Sequence, residues 1–144
     1  YGDLEKYSDN KADLSNMEHD DFLTAYNSII KKSLNLLKDD RFAVVVVGDY
    51  RDGRGFYRNF ISKTIEAFQN GGATLYNEAI YITPIGSLPL RVGKPFRTNR
   101  KLGKAHQQFL VFYKGSPEQI KENYAKDVYI KEEVSEEEPI AVAQ

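Results

Sequence analysis

The chain has 144 residues, 41% apolar and 28% charged, with a formal net charge of -1, which suits one α/β domain able to bury its own core. It contains no cysteine, and this excludes a disulfide framework and thiolate metal centres. No apolar run approaches the roughly 20 residues that a bilayer-spanning helix needs, and residues 1–6 lack the basic-then-apolar order of a secretory signal. The expectation is a cytoplasmic protein with no membrane partner.

In chain order, residues 1–16 are polar and rich in Asp, Asn, Ser and Gly, and read as a loop. Ser15-Asn16-Met17-Glu18 has the spacing of a capping box. Phe22, Ala25, Tyr26, Ile29, Ser33, Leu36 and Leu37 then recur at helical spacing, predicting a helix of about five turns with one apolar stripe. His19, in its first turn, is expected to face solvent. Residues 41–48 hold the unbroken run Phe42-Ala43-Val44-Val45-Val46-Val47, which predicts a central strand covered by helices on both faces. A second helix is expected over 57–69, with Phe60, Ile61, Thr64, Ile65 and Phe68 inward and Gly71-Gly72 as its left-handed stop. A strand over 73–83, a Pro/Gly-punctuated loop over 84–104 and a last strand over 106–113 complete the order. Residues 117–124 read as a short helix, and the acidic remainder reads as disordered.

Helices alternating with buried strands indicate a layered α/β sheet. The final two strands have no helical pattern between them, so they are expected to be neighbours or an antiparallel pair at one edge. A doubly wound sheet usually has more strands than this chain supplies, so the sheet reads as incomplete on its N-terminal side. Such a sheet needs a partner for its open edge: an upstream half of the domain, another chain, or a second copy in a homo-oligomer.

Charge is distributed unevenly. Between Ala79 and Pro117 there is no Asp or Glu, while Arg91, Lys94, Arg97, Arg100, Lys101, Lys104 and Lys114 all fall there. Spaced cations are what phosphate neutralisation requires, and a loop on a rigid scaffold is where binding residues concentrate. The cations at 91, 94, 97, 100, 101 and 104 are therefore read as binding nucleic acid, which the resemblance given below makes DNA-binding, in preference to a solvated surface loop. At the exit of the central strand, Asp49-Tyr50-Arg51-Asp52-Gly53-Arg54-Gly55 lies where open α/β sheets bind ligands. There Asp49 is suited to accept a hydroxyl or amine, and Gly53 and Gly55 let backbone approach a ligand. The same glycines serve a plain strand-to-helix turn equally well, because two glycines without a third are a weak signal. His106, a lone histidine, suits a structural hydrogen bond or a phosphate contact better than a metal. Tyr26, Tyr76, Tyr81 and Tyr113 fit core or sheet packing.

Several segments in their joint order resemble phage and bacterial DNA amino-methyltransferases. Tyr1-Gly2-Asp3-Leu4-Glu5-Lys6-Tyr7-Ser8 and Asp13-Leu14-Ser15-Asn16-Met17 resemble the stretch from the tyrosine of the family's catalytic Pro-Pro-Tyr motif onwards. Residues 41–52 look like its next strand and exit loop. Leu75-Tyr76-Asn77-Glu78-Ala79-Ile80, and Arg100-Lys101-Leu102-Gly103-Lys104-Ala105-His106-Gln107 through Phe112-Tyr113-Lys114-Gly115, resemble its last two strands. The resemblance spans residues 1–116, taken as the C-terminal part of a catalytic domain, with 117–144 as helix and tail. It implies a partial Rossmann-like methyltransferase sheet with an antiparallel last strand pair. It also implies methyl transfer from S-adenosylmethionine to the N6 of adenine or the N4 of cytosine in DNA. Tyr1 is then the ring that stacks on the extruded base, Asp49, Arg51 and Gly53 are the cofactor contacts, and the Gly-rich cofactor loop lies upstream. A non-catalytic DNA- or protein-binding module derived from a methyltransferase is the alternative. A nucleotide-binding α/β protein using Gly53 and Gly55 is a third, weaker reading.

Overall fold

A computed structural model describes residues 7–125. Tyr1 and the acidic tail beyond residue 125 lie outside these, and so do the expectations attached to them. After a single 3-10 turn at Leu14–Asn16, the elements are α1 (His19–Leu36), β1 (Arg41–Val47), α2 (Phe60–Asn70), β2 (Thr74–Ile82), α3 (Leu88–Asn99), β3 (His106–Lys114) and α4 (Gln119–Asn123). The strand order is β1-β3-β2, with β3 antiparallel to both neighbours. The expected antiparallel final pair is therefore present, and β3 is inserted between β1 and β2.

The capping box does not form. Asp13 accepts from Ser15 N–H and Oγ–H and caps the 3-10 turn instead. Glu18 is the N-cap of α1 but makes no side-chain cap bond, and Asp20 and Asp21 complement the positive end of the helix. The apolar stripe of α1 also differs by a residue from the expected one. Phe22, Ile30 and Leu34 are buried and Tyr26 packs against them, whereas Ile29 and Leu36 are exposed. Both stripes satisfy helical spacing, and the face that meets α2 decides between them. In α2, Phe60, Thr64, Ala67 and Phe68 turn inward. Gly72, at φ +92°, supplies the left-handed stop after the C-cap Gly71.

The core lies between these two helices and one face of the sheet. Ala43, Val45 and Val47 of β1, Leu110 and Phe112 of β3 and Leu75 of β2 all join it. Phe112 is fully buried and stacks on Phe68 at 4.0 Å with the rings 7° apart. The opposite face is open among the described residues. Val44, Val46, Phe109 and Tyr81 are exposed there, and only around Phe42 do Tyr76, Tyr113 and Tyr124 gather. Among the described residues this corrects two expectations: β1 lies at an edge and not at the centre of the sheet, and helices cover it on one face only. An unbroken β-branched run records that both faces are apolar, but not what covers each of them.

Residues 84–104 are not a loop. Ser87 precedes a three-turn helix that opens with Pro89 in its first turn and ends at Arg100, which adopts the left-handed conformation. Pro95 lies inside it and contributes no N–H, a residue that argues against a helix in sequence alone. Leu88 and Val92 turn towards the returning chain, where a Cβ added to Gly103 would stand 2.6 Å from Val92 Cγ1. No residue of α3 is buried, and it is not part of the core.

Candidate functional site

β1 and β2 run in the same direction and β3 runs against them, so the ends of the first two strands and the start of the third meet at one end of the sheet. Val47 pairs with Gln108 and Ile82 with His106, and Thr83 N–H donates to Ala105 O at 2.9 Å just beyond them. A cleft of about 420 Å³ opens at this end, lined by Gly48, Asp49, Tyr50, Thr83, Lys104 and His106. This is the strand-end crevice in which open α/β sheets bind ligands, and α3 stands at the same end because it joins β2 to β3.

The residues singled out from sequence fall into distinct places. Asp49 lines the cleft, and its Oδ1 accepts from Tyr50 N–H at 2.9 Å and Phe60 N–H at 3.1 Å, which ties the strand exit to the first turn of α2. Arg51 turns into its own loop: its guanidinium donates to Gly55 O at 2.8 Å and lies 3.9 Å over the Tyr57 ring. Gly53 is exposed at the tip with nothing within 4 Å of a Cβ placed on it. The strand-exit loop is thus a small closed hairpin. Arg51 pairs with Tyr57 across it, and Asp52 N–H donates to Phe56 O at 2.8 Å. Asp52 Oδ1 accepts from Phe56 N–H at 2.9 Å, and that bond chiefly holds its carboxyl below the usual carboxylate range. Gly55, at φ +95°, makes the turn that closes it.

Of the six cations, Arg91, Lys94 and Arg97 occupy the outward side of α3, where positions three apart stay within an arc of about 120°. Arg100 ends the helix, Lys101 follows it, and Lys104 reaches the cleft beside His106. All six therefore belong to one end of the sheet, and the segment carrying them has no acidic residue.

Two features were not anticipated. His19 turns inward, with its Nδ1 3.2 Å from Tyr50 Oη and its ring edge-on to Tyr50 at 6.3 Å. Burial, and next the Arg58 guanidinium, push the His19 imidazole below its ordinary value, with Asp20 opposing. The second is that α3 is a helix at all; Pro89 at the start of an apolar 88/92/95/96 spacing was the available signal. Tyr26 packs in the core and Tyr76 and Tyr113 pack with Phe42 on the sheet face, as core or sheet packing requires, while Tyr81 is half exposed on that face. No group of three or more His, Cys, Asp or Glu side chains suited to a metal occurs among the described residues. None of the described helices is long and apolar enough to cross a membrane.

No protein-family model matches the chain, and comparison with curated proteins finds no match. Among solved structures, the chain is similar to a protein of Thermus thermophilus described as a DNA modification methylase. Its selenomethionine derivative superposes with a TM-score of 0.53 at 17% identity, covering 68% of this chain and 38% of that one. The same protein complexed with S-adenosyl-L-methionine gives a TM-score of 0.51 at 17% identity, covering 68% and 39%. The chain thus spans less than half the length of the protein it matches. At this identity the likeness defines the fold alone: a mixed α/β sheet matching part of a methyltransferase-like fold.

Proposed function

We propose that this chain is the C-terminal part of the catalytic domain of an S-adenosylmethionine-dependent DNA methyltransferase acting on an exocyclic amino group, adenine N6 or cytosine N4. The observation that carries this reading is the meeting, at one end of a methyltransferase-like sheet, of a ligand-sized cleft and an acid-free cationic helix. The cleft and the Asp49 carboxylate fit the hydroxyl-bearing adenosyl end of the cofactor. Asp49 would accept from the ribose, while Arg51 and Gly53 belong to the hairpin that follows Tyr50 of the cleft lining. Bound there, S-adenosylmethionine supplies an activated methyl group. The chain's own contribution is to present the target. Arg91, Lys94, Arg97, Arg100, Lys101 and Lys104 neutralise phosphates and set the position of the strand. Tyr1, outside the described residues, would stack on a base taken out of the duplex. The rest of the cofactor site and the open β1 edge would be completed by an upstream half of the domain, another chain or a second copy.

The test is transfer of a labelled methyl group from S-adenosylmethionine to duplex DNA by the gene product that contains this chain, with nucleoside analysis of the product. Labelled N6-methyladenine or N4-methylcytosine is the expected product, and label in neither overturns the reading. One observation favours a second reading, a non-catalytic DNA-binding module derived from a methyltransferase: Asp49 and Arg51 are both engaged by their own loop. DNA binding without cofactor binding is the outcome that would select it.

A further inference from the structure

The three cation–π pairs among the described residues all lie at the functional end of the sheet. Arg51 is 3.9 Å from the Tyr57 ring, Arg54 is 5.8 Å from Phe56 and Arg100 is 5.5 Å from Phe96. None of these rings is a core residue, since Phe56 is 67% exposed, Tyr57 45% and Phe96 44%. Clustered exposed rings add little to folding and mark a surface that something covers. The hairpin bearing Phe56 is held rigid by the three bonds between Asp52 and the Gly55–Phe56 backbone.

The two elements share one surface. A Cβ placed on Gly55 would stand 2.7 Å from Lys101 Cε and Nζ, so the Lys101 side chain lies against the hairpin. Lys101 directly follows Arg100, the residue that ends α3 and covers Phe96. Lys101 thus joins the Gly55 turn, next to Phe56 in the chain, to the end of the helix that carries Phe96, with Arg54 5.8 Å from the Phe56 ring and Arg100 5.5 Å from the Phe96 ring. Asp52, the acid of the hairpin, has a side chain only 15% exposed and committed to the turn.

From this geometry we infer that the Phe56–Lys101–Phe96 surface is a stacking platform for unpaired nucleobases. Each phenyl ring takes the face of one base, and Arg54, Arg100 and Lys101 take the adjoining phosphates. Cations interleaved with exposed rings fit a single strand, because an intact duplex keeps its base faces stacked on one another. The inference rests on the nucleic-acid reading above and adds to it the state of the strand that is held.

Binding of the full chain to a fluorescent oligothymidylate, and to an abasic oligomer of equal length, separates base stacking from phosphate attraction. The base-bearing strand should bind roughly a hundredfold tighter, and Phe56→Ala and Phe96→Ala should each remove about a tenfold share of that while leaving abasic binding unchanged. The chain has no tryptophan, so Phe56→Trp gives a single reporter, quenched by oligothymidylate and not by the abasic strand. Equal affinities for the two strands, or an unquenched tryptophan, overturn the platform. Lys94→Ala and Arg97→Ala report the nucleic-acid reading separately. If they weaken both oligomers while Phe56→Ala weakens neither, the platform falls and that reading stands. If neither oligomer nor duplex DNA binds, both fall.

Discussion

Lys114 shows how a single residue closes a helix far from it in sequence. α1 has no basic residue in its last turn, yet the Lys114 ammonium donates to Leu34 O at 3.1 Å and Leu37 O at 2.7 Å and pairs with Asp39 at 3.0 Å. It satisfies carbonyls that the helix leaves open and compensates the negative end of the dipole. Lys114→Met should lower stability by about 1–2 kcal/mol in chemical denaturation, whereas Lys121→Met, on exposed α4, should be near neutral. His19 gives a pH-dependent counterpart. Its folded-state value lies below the ordinary 6.5, so the unfolded chain takes up the proton first as pH falls. The His19 contribution is complete above about pH 6.5 and is lost as pH falls through the lower folded value. Thermal melts should show wild type losing more stability than His19→Gln between pH 7 and pH 5; parallel losses would contradict the part-buried contact with Tyr50. Sequence reading could place His19 in the first turn but not orient it, because its partner lies 31 residues on.

At the scale of elements, β1, α2, β2 and β3 could be read from the sequence to within a few residues. Each carries a local signal: a β-branched run, a 3.6-residue stripe, a glycine stop. The pairing of the last two strands was legible, but the place of β1 in the strand order was not. Nothing in Arg41–Val47 says that it occupies an edge, since that results from β3 inserting between β1 and β2. α3 was hidden for the opposite reason: Pro89, Gly93 and Pro95 are breakers locally, and the helix still forms over three turns because Leu88 and Val92 find the returning chain. The candidate site divided in the same way. The cations and Asp49 were visible as residue types, while the closed hairpin that engages Arg51 and leaves Gly53 at its tip depends on bonds across it. The two layers are joined at the Phe68–Phe112 stack. Phe112→Ala should cost about 3–5 kcal/mol, read as a shift in denaturation midpoint, and a loss below about 1 kcal/mol would mean that the sheet does not depend on α2 for its cover.

For the whole molecule, a near-neutral total of -1 conceals a division of labour. One end of the sheet gathers cations, exposed rings and the cleft, and the acids lie outside the segment carrying those cations. Among the described residues, the sheet face at Val44, Val46, Phe109 and Tyr81 is open. The central claim is that the cationic end faces DNA, and the most direct measurement is the salt dependence of duplex binding by the full chain, with Arg97→Ala beside it. The logarithm of affinity should fall linearly with the logarithm of salt concentration, and Arg97→Ala should reduce the slope by about 0.9, the share of one phosphate contact. An affinity that does not change with salt, or a slope that Arg97→Ala leaves intact, would contradict the assignment of α3 to the DNA.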